Sequence, residues 1–194
     1  MTDSFRIYTS MSRCLNFMIY IQNIYLNQKE EKENMRFPYI ARKLNFSNDF
    51  EVNFKELWST LRKQIANEKN EMQTFYEGNY RFYEQLFEAD LSNEESFKEI
   101  VRGFEVWWTS LAGGFSLERS VDEYGQQLYN DLVLYLEQNQ IEPLKQLYIS
   151  LIYDECVLVD EENISPYSAI LPTQNFFMNY KDMVIKLSKC FNEA

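Results

Sequence analysis

The sequence predicts an all-α protein, one single-domain bundle of about seven helices over residues 1–194, and three observations point that way. Apolar residues recur at three- and four-residue steps along most of the chain, the period of a helix with one buried face. Only 5 Gly and 4 Pro occur, too few turn formers for a many-stranded sandwich. Hydrophobic residues make up 45% and aromatics 16%, which supplies a full core and excludes an acidic disordered chain.

The first helix starts near Met11 and carries the run LNFMIYIQNIYL, Leu15 to Leu26, into the mixed-charge stretch QKEEKENMR; Pro38 closes it. That run is shorter than the roughly 20 residues of a spanning helix, and Asn16, Gln22 and Asn23 interrupt it. The residues around it also lack the basic start and small-residue cleavage site of a signal peptide. A buried helix is the reading, although a short apolar run also suits a central strand. In the second helix, Asn48 and Glu51 resemble a capping box before a face of Phe54, Leu57, Trp58, Leu61 and Ile65. A turn at Asn67 to Asn70 precedes the third, with Met72, Phe75, Tyr76, Tyr80, Tyr83, Leu86 and Phe87.

Ser92 and Glu95 form a second capping box, and Phe97, Ile100, Phe104, Trp107, Trp108 and Leu111 give the fourth helix its face. Gly113-Gly114 is expected to stop it, because glycine accepts the left-handed conformation of a C-terminal cap. The fifth begins at Ser116 or Ser120 and buries Val121, Tyr124, Leu128, Leu132 and Tyr135. Pro143 suits the first turn of a sixth, carrying Leu144, Leu147, Tyr148, Leu151, Ile152 and Cys156. Val159 to Pro172 is expected to be irregular, and loops of that length in compact domains are often functional. The last helix uses Phe177, Tyr180, Val184, Leu187 and Phe191, with Lys181, Lys186 and Lys189 placed to favour its dipole.

For function, the chain's most informative pairing is the lack of any histidine with a formal net charge of -11. Without histidine the commonest general base, nucleophile activator and transition-metal ligand is missing. No Gly-x-Ser-x-Gly elbow or Walker-type loop occurs, and Cys14, Cys156 and Cys190 are too far apart for a Cys-x-x-Cys site. A non-enzymatic protein with no cofactor and no metal, in a reducing cytoplasmic setting, is therefore expected. The aromatic run Phe75 to Phe87 lacks the positive groove of a single-strand binder, so direct nucleic-acid binding is not expected. Its tyrosines read as core with hydroxyls at the rim.

Two acidic groups stand out. Glu84, Glu88, Asp90, Glu94 and Glu95 surround a helix start, where the dipole accounts for negative charge. Asp154, Glu155, Asp160, Glu161 and Glu162 flank the irregular segment, lack the spacing of an EF-hand, and adjoin Tyr167 and Phe176. These seven residues are the expected partner-binding surface, with an aromatic anchor inside a charged patch. The function that follows is an acidic stoichiometric inhibitor, such as an immunity protein covering the basic surface of a cognate toxin, for example a nuclease, by steered association. The alternatives are a phage-type anti-defence protein or nucleic-acid mimic that blocks a nucleic-acid-binding enzyme, and an all-α enzyme working through carboxylates and a divalent cation. A monomer or weak dimer away from membranes is the expected form.

Overall fold

The computed structural model describes residues 5–29, 35–40, 42–66, 71–159 and 163–191. Within them the chain divides into two compact units. One, the sheet unit, comprises Met1–Ser12, Leu111–Glu155 and Glu161–Ala194, and the other, the helical unit, Arg13–Ser110 with Cys156–Asp160.

The helical unit is built on α1 (Arg13–Lys29), with α2 (Phe50–Ala66), α3 (Glu71–Leu86) and α4 (Leu91–Thr109). Every residue of α1 from Arg13 to Tyr25 is buried, which is why its sequence is apolar all round instead of striped. Phe17 meets the rings of Phe75, Phe82, Phe97 and Phe104 at centroid distances of 5.0 to 6.2 Å. The amides that interrupt the run serve the loops. Gln22 Oε1 accepts from the backbone N–H of Val157 and Leu158 at 2.9 and 3.2 Å, and Asn23 Nδ2 donates to the Phe37 carbonyl at 2.8 Å. Asn27 both donates to the Arg36 and Pro38 carbonyls and accepts from the Arg36 N–H. Backbone that leaves water must find such partners. The cap of α4 is Asp90, whose carboxylate accepts from Ser92 N at 3.0 Å, and not the Ser92–Glu95 box. The turn expected at Asn67 to Asn70 lies outside the described residues.

The sheet unit overturns the all-α prediction and, with it, the helical-bundle architecture. Strands β1 (Ile7–Met11), β2 (Leu147–Ile152), β3 (Ile164–Ser165) and β4 (Ser168–Pro172) form one mixed sheet in the order β1-β2-β4-β3. β1 and β4 both run parallel to β2, with Ile7 opposite Leu147 and Ser150 opposite Ile170, while β3 pairs antiparallel with β4. The predicted sixth helix is thus β2. In a parallel strand, five of whose six residues are buried here, the apolar residues crowd together and satisfy helical spacing by accident. Half of the segment expected to be irregular is the β3–β4 hairpin.

Helices α5 (Gly114–Asp122), α6 (Gly125–Gln138), α7 (Asn175–Met178) and α8 (Tyr180–Ser188), with a closing 3₁₀ turn at Lys189–Phe191, complete this unit. Its core joins Leu147, Ile149 and Leu151 of β2 and Ala169 and Leu171 of β4 to Leu128, Leu132 and Leu136 of α6 and Met183 and Leu187 of α8. Gly113 caps α5 at φ −97°, and no described glycine takes a positive φ, so the glycine pair starts a helix instead of closing one.

Candidate functional site

Of the seven residues expected to bind a partner, four are described. Asp160, Glu161 and Glu162 lie outside the described residues. Asp154 and Glu155 follow β2, where Asp154 Oδ1 accepts from the Glu155 N–H at 2.8 Å and Glu155 Oε1 accepts from Gln174 Nε2 at 2.7 Å. Tyr167 and Phe176 are 7% and 1% exposed and belong to the core of the sheet unit. Tyr167 occupies the hairpin turn at φ 57°, a left-handed conformation that is uncommon for a bulky residue. It is held by four partners: its hydroxyl accepts from Leu144 N at 2.9 Å, its N–H donates to the Cys190 carbonyl and its carbonyl accepts from Tyr148 N, and its ring meets Phe191 edge-on. Both rings belong to the core of the sheet unit, and Phe176 also lines the pocket described below.

The other acidic group resolves into helix-end chemistry. Asp90 is the cap, and Lys98 Nζ bridges Glu94 and Glu95 at 3.0 Å each, so part of its charge is answered locally. Trp107 and Trp108 are both half-buried; Trp107 lies against Tyr20 and Phe37, and Trp108 stacks on Phe104. In the same unit Arg13 pairs with Glu105 and sits 4.8 Å over the Phe75 ring, a charge pair set among aromatic side chains. Among the described residues no group of three or more Cys, Asp and Glu could hold a metal ion.

A surface that the sequence reading passed over sits on the sheet unit. Among the described residues this unit carries nine acidic against six basic residues, and the helical unit twelve against eleven. From Ser120 to Leu144 there are five carboxylates and no Lys or Arg. Asp122 and Glu118, four residues apart on α5, share one helix face, and both, with Glu123, are exposed. Arg119 Nη1 donates to Asp122 Oδ2 at 2.8 Å, an exposed pair worth little and readily exchanged for another cation. Farther along α6, Asp131 accepts from the Tyr180 hydroxyl at 2.7 Å. Burial, followed by this carboxylate's charge, pushes the Tyr180 hydroxyl well above its ordinary range.

Asp122 also lines a pocket of about 300 Å³, together with Ile7 and Thr9 of β1, Val121 of α5, Gly125, Leu128 and Tyr129 of α6, and Phe176 of α7. A Cβ added at Gly125 would meet nothing within 4 Å, so the α5–α6 corner leaves open space there. On the opposite face of the sheet Tyr8 and Tyr148 stack at 5.3 Å, and both are about two-fifths exposed. Thr9, Asp122 and the tyrosines supply hydroxyls, a carboxylate and ring faces, which suits recognition of a cationic, extended chain. The signal that could have found this surface is the cation-free stretch itself. Charge was read as local clusters of carboxylates, and a stretch marked by missing cations forms no such cluster.

No protein-family model, curated protein or solved structure matches the chain. The immunity and toxin-inhibitor readings therefore draw no support from likeness. Among the described residues no helix is long and apolar enough to cross a membrane.

Proposed function

We propose that this chain is a non-catalytic binding protein that occupies a basic partner protein in a stoichiometric complex and so inhibits it. The observation that carries the reading is the stretch from Ser120 to Leu144 on the sheet unit, with five carboxylates and no cation. A surface of one sign steers an oppositely charged partner into encounter and suppresses like-charged competitors. Proteins that handle nucleic acid carry such basic surfaces, so a nucleic-acid-binding enzyme or nuclease toxin is the partner class this surface fits.

The test is affinity capture from the native cell at low salt, followed by titration of the purified captured protein with this chain. The reading expects a basic partner whose activity is lost at a one-to-one endpoint and is recovered as salt rises. Capture of acidic or neutral proteins alone, or an activity that turns over substrate without a stoichiometric endpoint, overturns it.

A further inference from the structure

Edge strands expose unpaired amides and carbonyls, and natural sheets blunt them with short strands, Lys or Pro within the strand, or bulges. The two edges of this sheet differ. β3 spans two residues, while β1 spans five, Ile-Tyr-Thr-Ser-Met, without Lys or Pro. Leu147 N donates to the Arg6 carbonyl, so by alternation along a parallel strand Tyr8 and Ser10 also bond inward to β2. Ile7, Thr9 and Met11 then turn their backbone N–H and C=O groups to the outer side, where no fifth strand lies among the described residues. Ile7 and Thr9 are also the two strand residues that line the pocket.

Resting on the reading of a basic partner, we infer that the partner docks by adding an extended, basic segment as a fifth strand along the open edge of β1. Residues in register share a sheet face. Partner side chains beside Ile7 and Thr9 therefore enter the pocket, where a Lys or Arg stem lies along Val121 and Leu128 and its charge reaches Asp122. Side chains on the other face lie over Tyr8, where a cation meets the ring. A second copy of this chain fits less well, since it would bring a second acidic α5 to the same edge. Main-chain bonds supply affinity and the pocket supplies specificity, as in other strand additions.

The test uses the full chain and a capped eight-residue peptide alternating Lys and Val, with a Glu-Val peptide as control, followed by amide hydrogen exchange and by titration. The Lys-Val peptide is expected to bind, to slow exchange at Ile7, Thr9 and Met11, and to leave Tyr8 and Ser10 unchanged. Thr9→Pro removes the outward N–H together with the Thr9 side chain, at a position where an edge strand tolerates proline, and should weaken binding roughly tenfold or more relative to Thr9→Ala, which keeps the N–H, with the fold intact. Gly125→Leu, which fills the pocket and keeps the edge, should weaken it as well. No binding of the Lys-Val peptide, equal binding of the Glu-Val peptide, or full-strength binding to Thr9→Pro overturns strand addition. Slowed exchange at β1 without peptide, with doubling of mass, would assign the edge to a second copy and also overturns it. A captured basic partner that still binds Thr9→Pro but not a charge-reversed α5 would remove strand addition and leave the proposed function standing.

Discussion

Replacing Phe17 by alanine removes the ring on which the helical unit converges. Phe17 is fully buried and meets four phenylalanine rings, two at α3 and two at α4. Emptying a large aromatic site costs about 3 to 5 kcal/mol. Edge-on pairs add about 0.5 to 1.5 kcal/mol beyond buried area, which places this site toward the upper end. Urea unfolding followed by tryptophan fluorescence reads the effect selectively, because Trp58, Trp107 and Trp108 all belong to the helical unit. With a slope of about 2 kcal/mol per molar urea, the midpoint should fall by about 2 M. Val106→Ala, at a side chain 72% exposed on α4, should move it by less than about 0.3 M, since surface changes stay within about 0.5 kcal/mol. Equal shifts for the two variants would refute the placement of α1 at the centre of that unit.

Gln22→Leu keeps the volume but deprives the Val157 and Leu158 amides of their acceptor; a loss of about 1 to 3 kcal/mol is expected in the same assay. Tyr167→Phe removes the hydroxyl that receives the Leu144 N–H and should cost about 1 kcal/mol by circular dichroism melting, with peptide binding unchanged because Tyr167 is buried. Stability should also decline in alkali. Burial pushes the Cys190 thiol up to about 12, whereas an unfolded thiol ionises near about 8.5, so between these values the unfolded chain sheds a proton that the folded one keeps. The contribution is complete below about pH 8.5 and is lost as pH rises from there. Cys190→Ala should flatten that decline in a pH series of denaturation midpoints, and an unchanged slope would show that the thiol titrates alike in both states.

Helices whose apolar residues form one stripe were legible, as α2 and α4 show with Phe54, Leu57, Trp58 and Leu61, and Phe97, Ile100 and Phe104, all buried. The buried run of α1 was legible as well, because Asn16, Gln22 and Asn23 ruled out a membrane span. β2 was not, since Leu147, Ile149, Leu151 and Ile152 crowd apolar residues into a short run whose six-residue length is what separates it from a helix. β1 hid at the start of the chain, where Tyr8, Thr9 and Ser10 are exposed and give no apolar signal. The candidate surface was half legible: net charge announced it, but proximity in sequence pointed to Tyr167 and Phe176 as anchors. Their place inside the core depends on the β4–α7 connection and the left-handed turn, which no local pattern encodes.

Contact between the exposed carboxylates of α5 and a basic partner is what the proposed function requires. Its most direct measurement is the association rate of the captured partner across a salt series, with the unaltered chain and with a Glu118→Lys, Asp122→Lys, Glu123→Lys triple variant. These side chains are exposed, so the variant should fold and melt within a few degrees of the parent. The expected rate falls steeply with salt for the parent, and for the variant it is about 10-fold or more slower at low salt and nearly flat. Matching rates and matching salt slopes for the two proteins would contradict that contact.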